Sequence, residues 1–305
     1  MDSQDQHCAT ASPRIAVIIA TKGRPQAATR VLRLLEAQTL PPDIVVVSAS
    51  SQQDVEAPFE TTLPIEYVFG TAGLPAQRNR GMVRVMPAFD VVVFFDDDFV
   101  PAPDWLARCA EVFSAWPDVV GLTGDVVRDG VRGDAIDWDE AIALVGDNLV
   151  DADDTAITAT SPLEKLYGCN MAYRTAAIGS LRFDERLVLY GWLEDMDFSR
   201  AMNRKGRLVK ALAARGVHLG LRSGGRASGV RFGFSQIVNA WYLHGKGALT
   251  AREAWSNTLR ALLVNGAKAF FPEPHIDRRG RLAGNFIGLR ELLSGRCRPE
   301  RGADL

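Results

Sequence analysis

The sequence has little cysteine and no long apolar segment. Its four cysteines, at positions 8, 109, 169 and 297 of 305 residues, include no CxxC pair. This pattern excludes a disulfide-stapled scaffold, disfavours a structural zinc site and suits a reducing compartment. No apolar run approaches the ~20 residues that a membrane-spanning helix needs. The polar N-terminus also lacks the apolar core of a secretion signal. We therefore expect a cytoplasmic protein.

Several nucleotide-binding and hydrolase motifs are missing as well. The first predicted strand is not followed by G-x-G-x-x-G, and G-x-x-x-x-G-K-[ST], G-x-S-x-G and H-E-x-x-H do not occur. A dinucleotide-binding fold and a P-loop NTPase are therefore not supported, nor are a nucleophile elbow and a zincin site. The basic residues match no nucleic-acid-binding module, so we expect no nucleic-acid partner.

Charge is present in both signs but is unevenly distributed. The formal net charge is only −2, yet residues 200–305 carry 20 Lys or Arg against 6 Asp or Glu. This asymmetry predicts that the last third of the chain meets something anionic. Phosphates, a membrane surface and the acidic part of the same molecule are the three candidates.

Short β-branched runs alternate with helical patterns along most of the chain. Strands are predicted at 14–20, 44–48, 65–69, 91–95, 119–123, 168–173 and 207–210. Helices are predicted at 28–35, 75–86, 105–116 and 195–205, and over most of the chain after 221. Such alternation predicts a mostly parallel α/β sheet. The acidic stretch 125–154 is interpreted as a long loop or a partly helical insertion.

Three consecutive acids provide the sharpest chemical signal. Asp96, Asp97 and Asp98 directly follow the apolar run VVVFF. Sites in open α/β sheets form at the carboxyl ends of the strands. Carboxylates there could hold a hard divalent ion such as Mg²⁺ or Mn²⁺, with Asp96 and Asp98 as its ligands. The alternative is an acidic turn that is only solvated.

A second acidic group opens the helix predicted at 195–205. Glu194 and Asp195 lie at its start, where the helix dipole favours acids. Asp195 could serve as a carboxylate base for a substrate hydroxyl. The alternative is that Asp195 only caps the helix.

Two basic segments are further candidates. His218 precedes a glycine- and arginine-rich stretch in which Arg222 and Arg226 could close over a diphosphate. The segment GLPAQRNRG at 73–81 places Arg78 at the start of a helix. The alternative for the first segment is a flexible surface loop.

Seven segments in this order resemble the family 2 glycosyltransferases, which have the GT-A fold and transfer sugars from nucleotide-sugar donors with inversion. The segments are IAVIIATKGRP (15–25), IVVVSASSQQD (44–54), GLPAQRNRG (73–81), VVVFFDDDFVPAPDWL (91–106), YGCNMAYR (167–174), FDERL (183–187) and GWLEDMDFSRAMNRKG (191–206). The resemblance implies a GT-A-type, Rossmann-like sheet flanked by helices.

The resemblance also implies roles for individual residues. The donor-binding residues would be Thr21, Arg24, Ser48, Arg78, Asp96, Asp97, Arg222 and Arg226. Asp98 would be the principal ligand of Mg²⁺ or Mn²⁺, joined by Asp96 and His218. Asp195 would be the catalytic base, and Glu194 would help to shape the acceptor site. Ser48 stands where the family commonly has an acid that contacts the nucleotide, so uridine is only the default base.

These expectations define three segments and one reaction. Residues 1–13 would be a disordered tail, 14–220 the GT-A catalytic domain, and 221–305 a helical extension packed on the core. The enzyme would transfer sugar from a nucleoside-diphosphate sugar to a hydroxyl of a glycan or lipid-linked glycan, in polysaccharide biosynthesis. The extension could also make a peripheral membrane contact at the inner face of the membrane or a homodimer.

Two other functions remain open at this point. A sugar-nucleotidyltransferase also combines an α/β sheet with acids and a metal, but such enzymes usually have a glycine-rich loop after the first strand, and ATKGRP has one glycine. The other is a non-catalytic homologue that binds nucleotide-sugars.

Overall fold

The computed structural model describes residues 12–56, 60–147, 157–158, 165–221, 228–271, 273 and 275–305. Its strands are β1 (Ile15–Thr21), β2 (Ile44–Ala49), β3 (Ile65–Phe69), β4 (Val91–Asp96), β5 (Phe99–Pro101), β6 (Val119–Asp129), β7 (Ile157–Thr158), β8 (Asn170–Arg174) and β9 (Arg207–His218). Its α-helices are α1 (Pro25–Glu36), α2 (Leu74–Val85), α3 (Trp105–Ala115), α4 (Trp138–Asp147), α5 (Thr175–Ile178), α6 (Glu194–Asn203), α7 (Gly229–Gly245), α8 (Ala251–Lys268) and α9 (Arg278–Leu293).

The strands form one mixed sheet in the order β3-β2-β1-β4-β8-β6-β9-β5, with β7 paired to β9. The half made by β3, β2, β1 and β4 is parallel, as the apolar runs predicted. In the other half, β8 runs antiparallel to both β4 and β6. After β1 the chain forms β2 on one side of β1, and it later returns to form β4 on the other side of β1. Ligands bind at the crevice that such a reversal of strand order creates.

The helices cover both faces of the sheet with apolar side chains. In α1 the side chains of Ala28, Val31, Leu32 and Leu35 are buried, which confirms the predicted spacing. α3 buries Trp105 and Phe113 against the same face. The opposite face is covered in part by Met82 and Val85 of α2. This two-sided burial holds the carboxyl ends of β1 and β4 in fixed positions.

The acidic segment after residue 125 is partly helical, as one of the two interpretations expected, and it also contains the end of a strand. β6 continues through Asp129, and helix α4 follows it. β9 is also longer than the predicted 207–210, because its second half pairs with β6 as far as His218. The acids did not prevent a strand, since Asp125 forms an ion pair with Lys210 on β9. Residues 148–154 of the expected insertion lie outside the described residues.

The C-terminal helices pack on one another and on the segment that precedes α6. Asn239 of α7 donates a hydrogen bond to the Trp192 carbonyl over 2.9 Å. Lys246 lies 2.8 Å from Asp184 and 2.6 Å from Asp197. Within the described ranges, every helix is too short or too polar to cross a bilayer. The division into segments 1–13, 14–220 and 221–305 stays a prediction, and residues 1–11 are outside the described part.

A glycine contact between α7 and α9 leads to a prediction about stability. A Cβ at Gly284 would meet the Val230 carbonyl oxygen, which is backbone and cannot rotate away. Gly284→Ala should therefore lower the free energy of unfolding by about 1–3 kcal/mol, because the two helices must separate. Chemical denaturation measures the change.

Gly266→Ala is the matched control. Gly266 also lies inside a helix, but a Cβ there would meet nothing within 4 Å. This variant should gain about 0.5–1 kcal/mol from the better helix propensity of alanine. Equal effects of the two substitutions would contradict the close approach of α7 and α9.

Candidate active site

The three consecutive acids lie at the reversal point of the sheet. Asp96 ends β4, and Asp97 and Asp98 form the turn into β5. Thr21, at the end of β1, donates a hydrogen bond to Asp97 Oδ2 over 2.7 Å. Arg24, in the next loop, lies 2.8 Å from Asp97 and 3.1 Å from Asp98. The first loop and the acids therefore form one polar cluster.

Three side chains of this region could hold a metal ion. One ligand atom from each of Asp96, Asp98 and His218 lies within 4.8 Å of the other two. Because β5 pairs antiparallel to β9, Phe99 faces His218 and brings the imidazole next to Asp98. Their Nε2 and Oδ1 atoms are 3.4 Å apart. Two carboxylates and an imidazole form a donor set that fits Mn²⁺ or Mg²⁺.

The other ring nitrogen of His218 is held by residues that sequence reasoning did not identify. His218 Nδ1 lies 3.1 Å from Asp129 Oδ1. Tyr167 donates its hydroxyl to Asp129 Oδ2 over 3.0 Å. Burial by itself lowers the pKa of His218, but its hydrogen bonds to Asp129 and Asp98 raise that pKa to about 10. Asp129 of β6 pairs with His218 of β9. This strand register brings the two side chains together, and no local sequence pattern indicates it.

We expect Asp129 to control metal affinity without binding the metal itself. A carboxylate on the far nitrogen of a metal-bound histidine fixes the orientation of its ring. Asp129→Asn should weaken Mn²⁺ binding by about 10–100-fold, as such outer partners typically do. Titration of Mn²⁺ followed by electron paramagnetic resonance measures the affinity directly.

Asp139→Asn is the control for this prediction. Asp139 is an exposed acid in the first turn of α4, ten residues further along the chain. Its substitution should leave Mn²⁺ affinity unchanged. An Asp129→Asn variant with the affinity of the parent protein would contradict the orienting role.

Arg78 connects the two acidic groups of the site. Its side chain is buried, and its Nη2 atom lies 3.0 Å from Asp96 Oδ1 and donates to the Gly168 carbonyl over 2.8 Å. Its Nη1 atom forms an ion pair with Glu194. Burial alone lowers the pKa of Arg78, but Glu194 and Asp96 raise it above its usual value. A permanent cation thus fills the space between the end of β4 and the start of α6.

Glu194 and Asp195 occupy different environments at the start of α6. Leu193, with φ of 73°, is the N-cap, so Asp195 is not the cap. Glu194 is buried, and burial raises its pKa to about 8 although Arg78 opposes the shift. Asp195 is only partly buried and accepts a hydrogen bond from the Met196 amide over 2.8 Å. Gly168, whose carbonyl accepts a hydrogen bond from Arg78, lies close to Asp195. A Cβ at Gly168 would be 3.4 Å from the Asp195 Cβ.

A cleft with a volume of about 80 Å³ opens beside Asp96 and Asp97. Its lining includes Thr21, Lys22, Arg24, Gly73, Gln77, Asp96, Asp97 and Tyr190. Gln77 donates hydrogen bonds to the carbonyls of Thr21 and Ser48 over 2.7 and 2.8 Å, joining the ends of β1 and β2. Gln77 and Tyr190 were not predicted. The adjacency of Gln77 to Arg78 in GLPAQRNRG was the available signal.

The loop after β2 is organised by Asp54, another residue that sequence reasoning did not identify. Asp54 accepts hydrogen bonds from the Gly23 amide over 2.7 Å and from the Ser51 amide over 2.8 Å. Ser48, which stands where the family commonly has an acid that contacts the nucleotide, has no exposed surface. Asp54 therefore ties the first loop of the cleft to the end of β2.

The structure brings most of the predicted site residues together. Thr21, Arg24, Arg78, Asp96, Asp97, Asp98, Glu194, Asp195 and His218 form one connected group through the contacts described above. Ser48 lies behind Gln77. Arg222 and Arg226 lie outside the described residues, so their predicted contact with a diphosphate stays a prediction, as do the roles assigned to the others.

The mixed α/β sheet, whose central strand β4 ends in an Asp-x-Asp pair, agrees with the GT-A-type fold that the sequence predicts. The family model described as Glycosyl transferase family 2 matches residues 16–179, which is more than half of the chain. The chain therefore belongs to glycosyl transferase family 2. A search among curated proteins found no match.

Solved structures similar to this chain include two proteins. Residues 1–349 of S. aureus TarS, in complex with UDP, are 16% identical with a TM-score of 0.49, and the match covers 84% of this chain and 72% of that one. The chain spans 44% of the longer S. aureus TarS structure. The mannosyltransferase PcManGT from Pyrobaculum calidifontis, in complex with GDP-Man and Mn²⁺, is 16% identical with a TM-score of 0.48, covering 93% of this chain and 87% of that one.

Proposed function

We propose that the protein is a metal-dependent, inverting glycosyltransferase. It moves a sugar from a nucleoside-diphosphate sugar to a hydroxyl of a glycan or lipid-linked glycan. The observation that carries the proposal is the buried Arg78, which binds Asp96 on one side and Glu194, the neighbour of Asp195, on the other. Arg78 thereby links a candidate metal ligand to the residue next to the candidate base.

The donor would occupy the cleft at the ends of β1 and β4. Thr21, Arg24 and Gln77 line it from the first loop and α2. Asp98, Asp96 and His218 would hold Mn²⁺ or Mg²⁺. When bound, such an ion offsets the negative charge that develops on the leaving diphosphate. The guanidinium of Arg24, which contacts Asp98, lies in the same cluster and can contribute to charge neutralisation.

The acceptor would approach from the side of α6. Asp195 accepts the proton of the acceptor hydroxyl while the oxygen of that hydroxyl forms a bond to the anomeric carbon. The bond from the anomeric carbon to the donor diphosphate breaks on the opposite face, and the nucleoside diphosphate leaves with the bonding electrons. A single displacement of this kind inverts the anomeric configuration.

A screen of nucleotide-sugars tests the proposal. Each donor is incubated with the protein and Mn²⁺, and release of nucleoside diphosphate is measured with and without a chelator. We expect metal-dependent release of nucleoside diphosphate from at least one donor and an inverted anomeric carbon in the product by NMR. Pyrophosphate chemistry would instead indicate the sugar-nucleotidyltransferase, and donor binding without turnover the non-catalytic homologue.

A glycan or lipid-linked glycan as the acceptor, a role in polysaccharide biosynthesis and the cytoplasmic location stay predictions. The family membership favours glycosyl transfer over nucleotidyl transfer, so we carry no second function forward.

A further inference from the structure

Helix α8 has an apolar face that the rest of the described chain leaves open to solvent. Trp255, Leu259 and Leu263 follow one another at intervals of four residues and are 53%, 51% and 71% exposed. Phe270 and Phe271, just beyond the end of the helix, are 80% and 78% exposed. Residues with this spacing share one face of a helix. The opposite face, which includes Ala254, Thr258, Ala261 and Asn265, is buried against the protein.

A basic groove adjoins this apolar face. The groove runs between α6 and α8, and its lining includes Arg200, Asn203, Arg204, Arg252 and Ser256. An apolar groove on α8 is lined by Arg252, Trp255, Ser256, Leu259, Arg260, Leu263 and Val264. The two grooves share Arg252 and Ser256. We call the combination of Arg204, Arg252, Trp255, Leu259, Arg260 and Leu263 the α8 docking surface.

The charges of the α8 docking surface identify its occupant. Arg204, Arg252 and Arg260 are exposed cations. Glu253, the one acid in the sequence of α8, forms an ion pair with Arg200 on α6, with 2.5 Å between Glu253 Oε1 and Arg200 Nη2. A second copy of the chain, docked symmetrically on the same face, would bring the three exposed arginines of each copy into one interface. An anionic lipid surface instead offers phosphates to the arginines and acyl chains to the apolar side chains.

We propose that the α8 docking surface binds the protein to an anionic lipid bilayer. Trp255, Leu259 and Leu263 enter the boundary between headgroups and acyl chains. Arg204, Arg252 and Arg260 contact the lipid phosphates. Bilayer binding requires no glycosyl transfer, so this proposal and the proposed function can fail separately.

The position of the α8 docking surface determines how far the bilayer would lie from the candidate active site. Helix α6 begins at Glu194, next to Asp195, and ends at Asn203, which lines the basic groove. A ten-residue helix is about 15 Å long. Arg200 also donates to the Ala248 carbonyl over 2.6 Å, which fixes the start of α8 to α6. The candidate base therefore lies about one short helix away from the proposed bilayer surface.

Co-sedimentation with vesicles tests the proposal on the full chain. We expect binding to vesicles of phosphatidylcholine with about 30% phosphatidylglycerol at about 0.1 M salt, and clear weakening at about 0.5 M, because salt screens the arginine contacts. Vesicles of phosphatidylcholine alone should bind much less. Leu263→Ser should reduce partitioning onto the anionic vesicles by about tenfold, since its apolar side chain no longer enters the bilayer.

Val83→Ser is the matched control, because Val83 is 66% exposed on α2, outside the α8 docking surface. Its partitioning should equal that of the parent protein. Circular dichroism and size-exclusion chromatography on both variants establish that each is folded. Absence of binding to the anionic vesicles at low salt would overturn the proposal. So would equal partitioning of the two variants, or a dimer of the parent protein that Leu263→Ser converts to a monomer without any vesicle binding.

Discussion

Asp195→Asn is expected to abolish most of the sugar transfer while leaving donor binding intact. The amide cannot accept the proton of the acceptor hydroxyl, so kcat should fall on the order of 10²- to 10⁴-fold, the usual contribution of a general base. Affinity for the nucleoside diphosphate with Mn²⁺ should stay within a few-fold, because Asp195 belongs neither to the metal-ligand cluster nor to the lining of the cleft given above. Steady-state kinetics and calorimetry measure the two quantities separately.

Asp197→Asn is the matched control for the base. Asp197 lies in the same first turn of α6, but its carboxylate is turned toward Lys246 of the C-terminal helices. This substitution removes the same charge from the same helix end, so it should cost stability and leave kcat within a few-fold. Equal losses of kcat in both variants would attribute the effect to the helix rather than to proton acceptance by Asp195.

Sequence patterns predicted those parts of the fold that depend on local burial. The runs at Ile15–Thr21 and Val91–Asp96 are apolar on both faces, as a strand covered by helices on both sides must be. The acids Asp96, Asp97 and Asp98, which follow the apolar part of the second run, marked the edge of the sheet where the candidate site forms. The antiparallel insertion of β8 between β4 and β6 was not predictable in this way, because the order of strands depends on long-range pairing.

The connections within the site were also beyond local patterns. Arg78 and Glu194 are 116 positions apart, and their ion pair exists only because α2 and α6 meet beneath Gly168. Asp129 was interpreted as one acid among ten in the stretch 125–154, and its contact with His218 depends on the length of β6 and β9. Sequence reasoning therefore identified residue types at strand and helix ends, while the partners that orient them required the fold.

Asp98→Asn is expected to remove most metal binding, and with it metal-dependent donor binding. Asparagine keeps an oxygen that can accept the Leu221 amide, which reaches Asp98 Oδ2 over 2.9 Å, so the turn should keep its shape. The substitution removes one of the two carboxylate charges in the cluster with Asp96 and His218. Mn²⁺ affinity should fall on the order of 100-fold or more, since hard cations depend on charged oxygen ligands. Titration of Mn²⁺, with and without nucleoside diphosphate, measures the loss.

Asp97→Asn separates ligand loss from general damage to the acidic turn. Asp97 is fully buried, and burial raises its pKa to about 7 against the opposing charge of Arg24. Asparagine has the same shape as aspartate and keeps an oxygen that can accept the hydrogen bond of the Thr21 hydroxyl, so the variant should fold. Because Asp97 contacts Thr21 and Arg24 and is outside the ligand cluster, Mn²⁺ affinity should change by only a few-fold. If Asp97→Asn weakened Mn²⁺ binding as much as Asp98→Asn, the acids would act through the shape of the turn, and Asp98 would lose its assignment as a ligand.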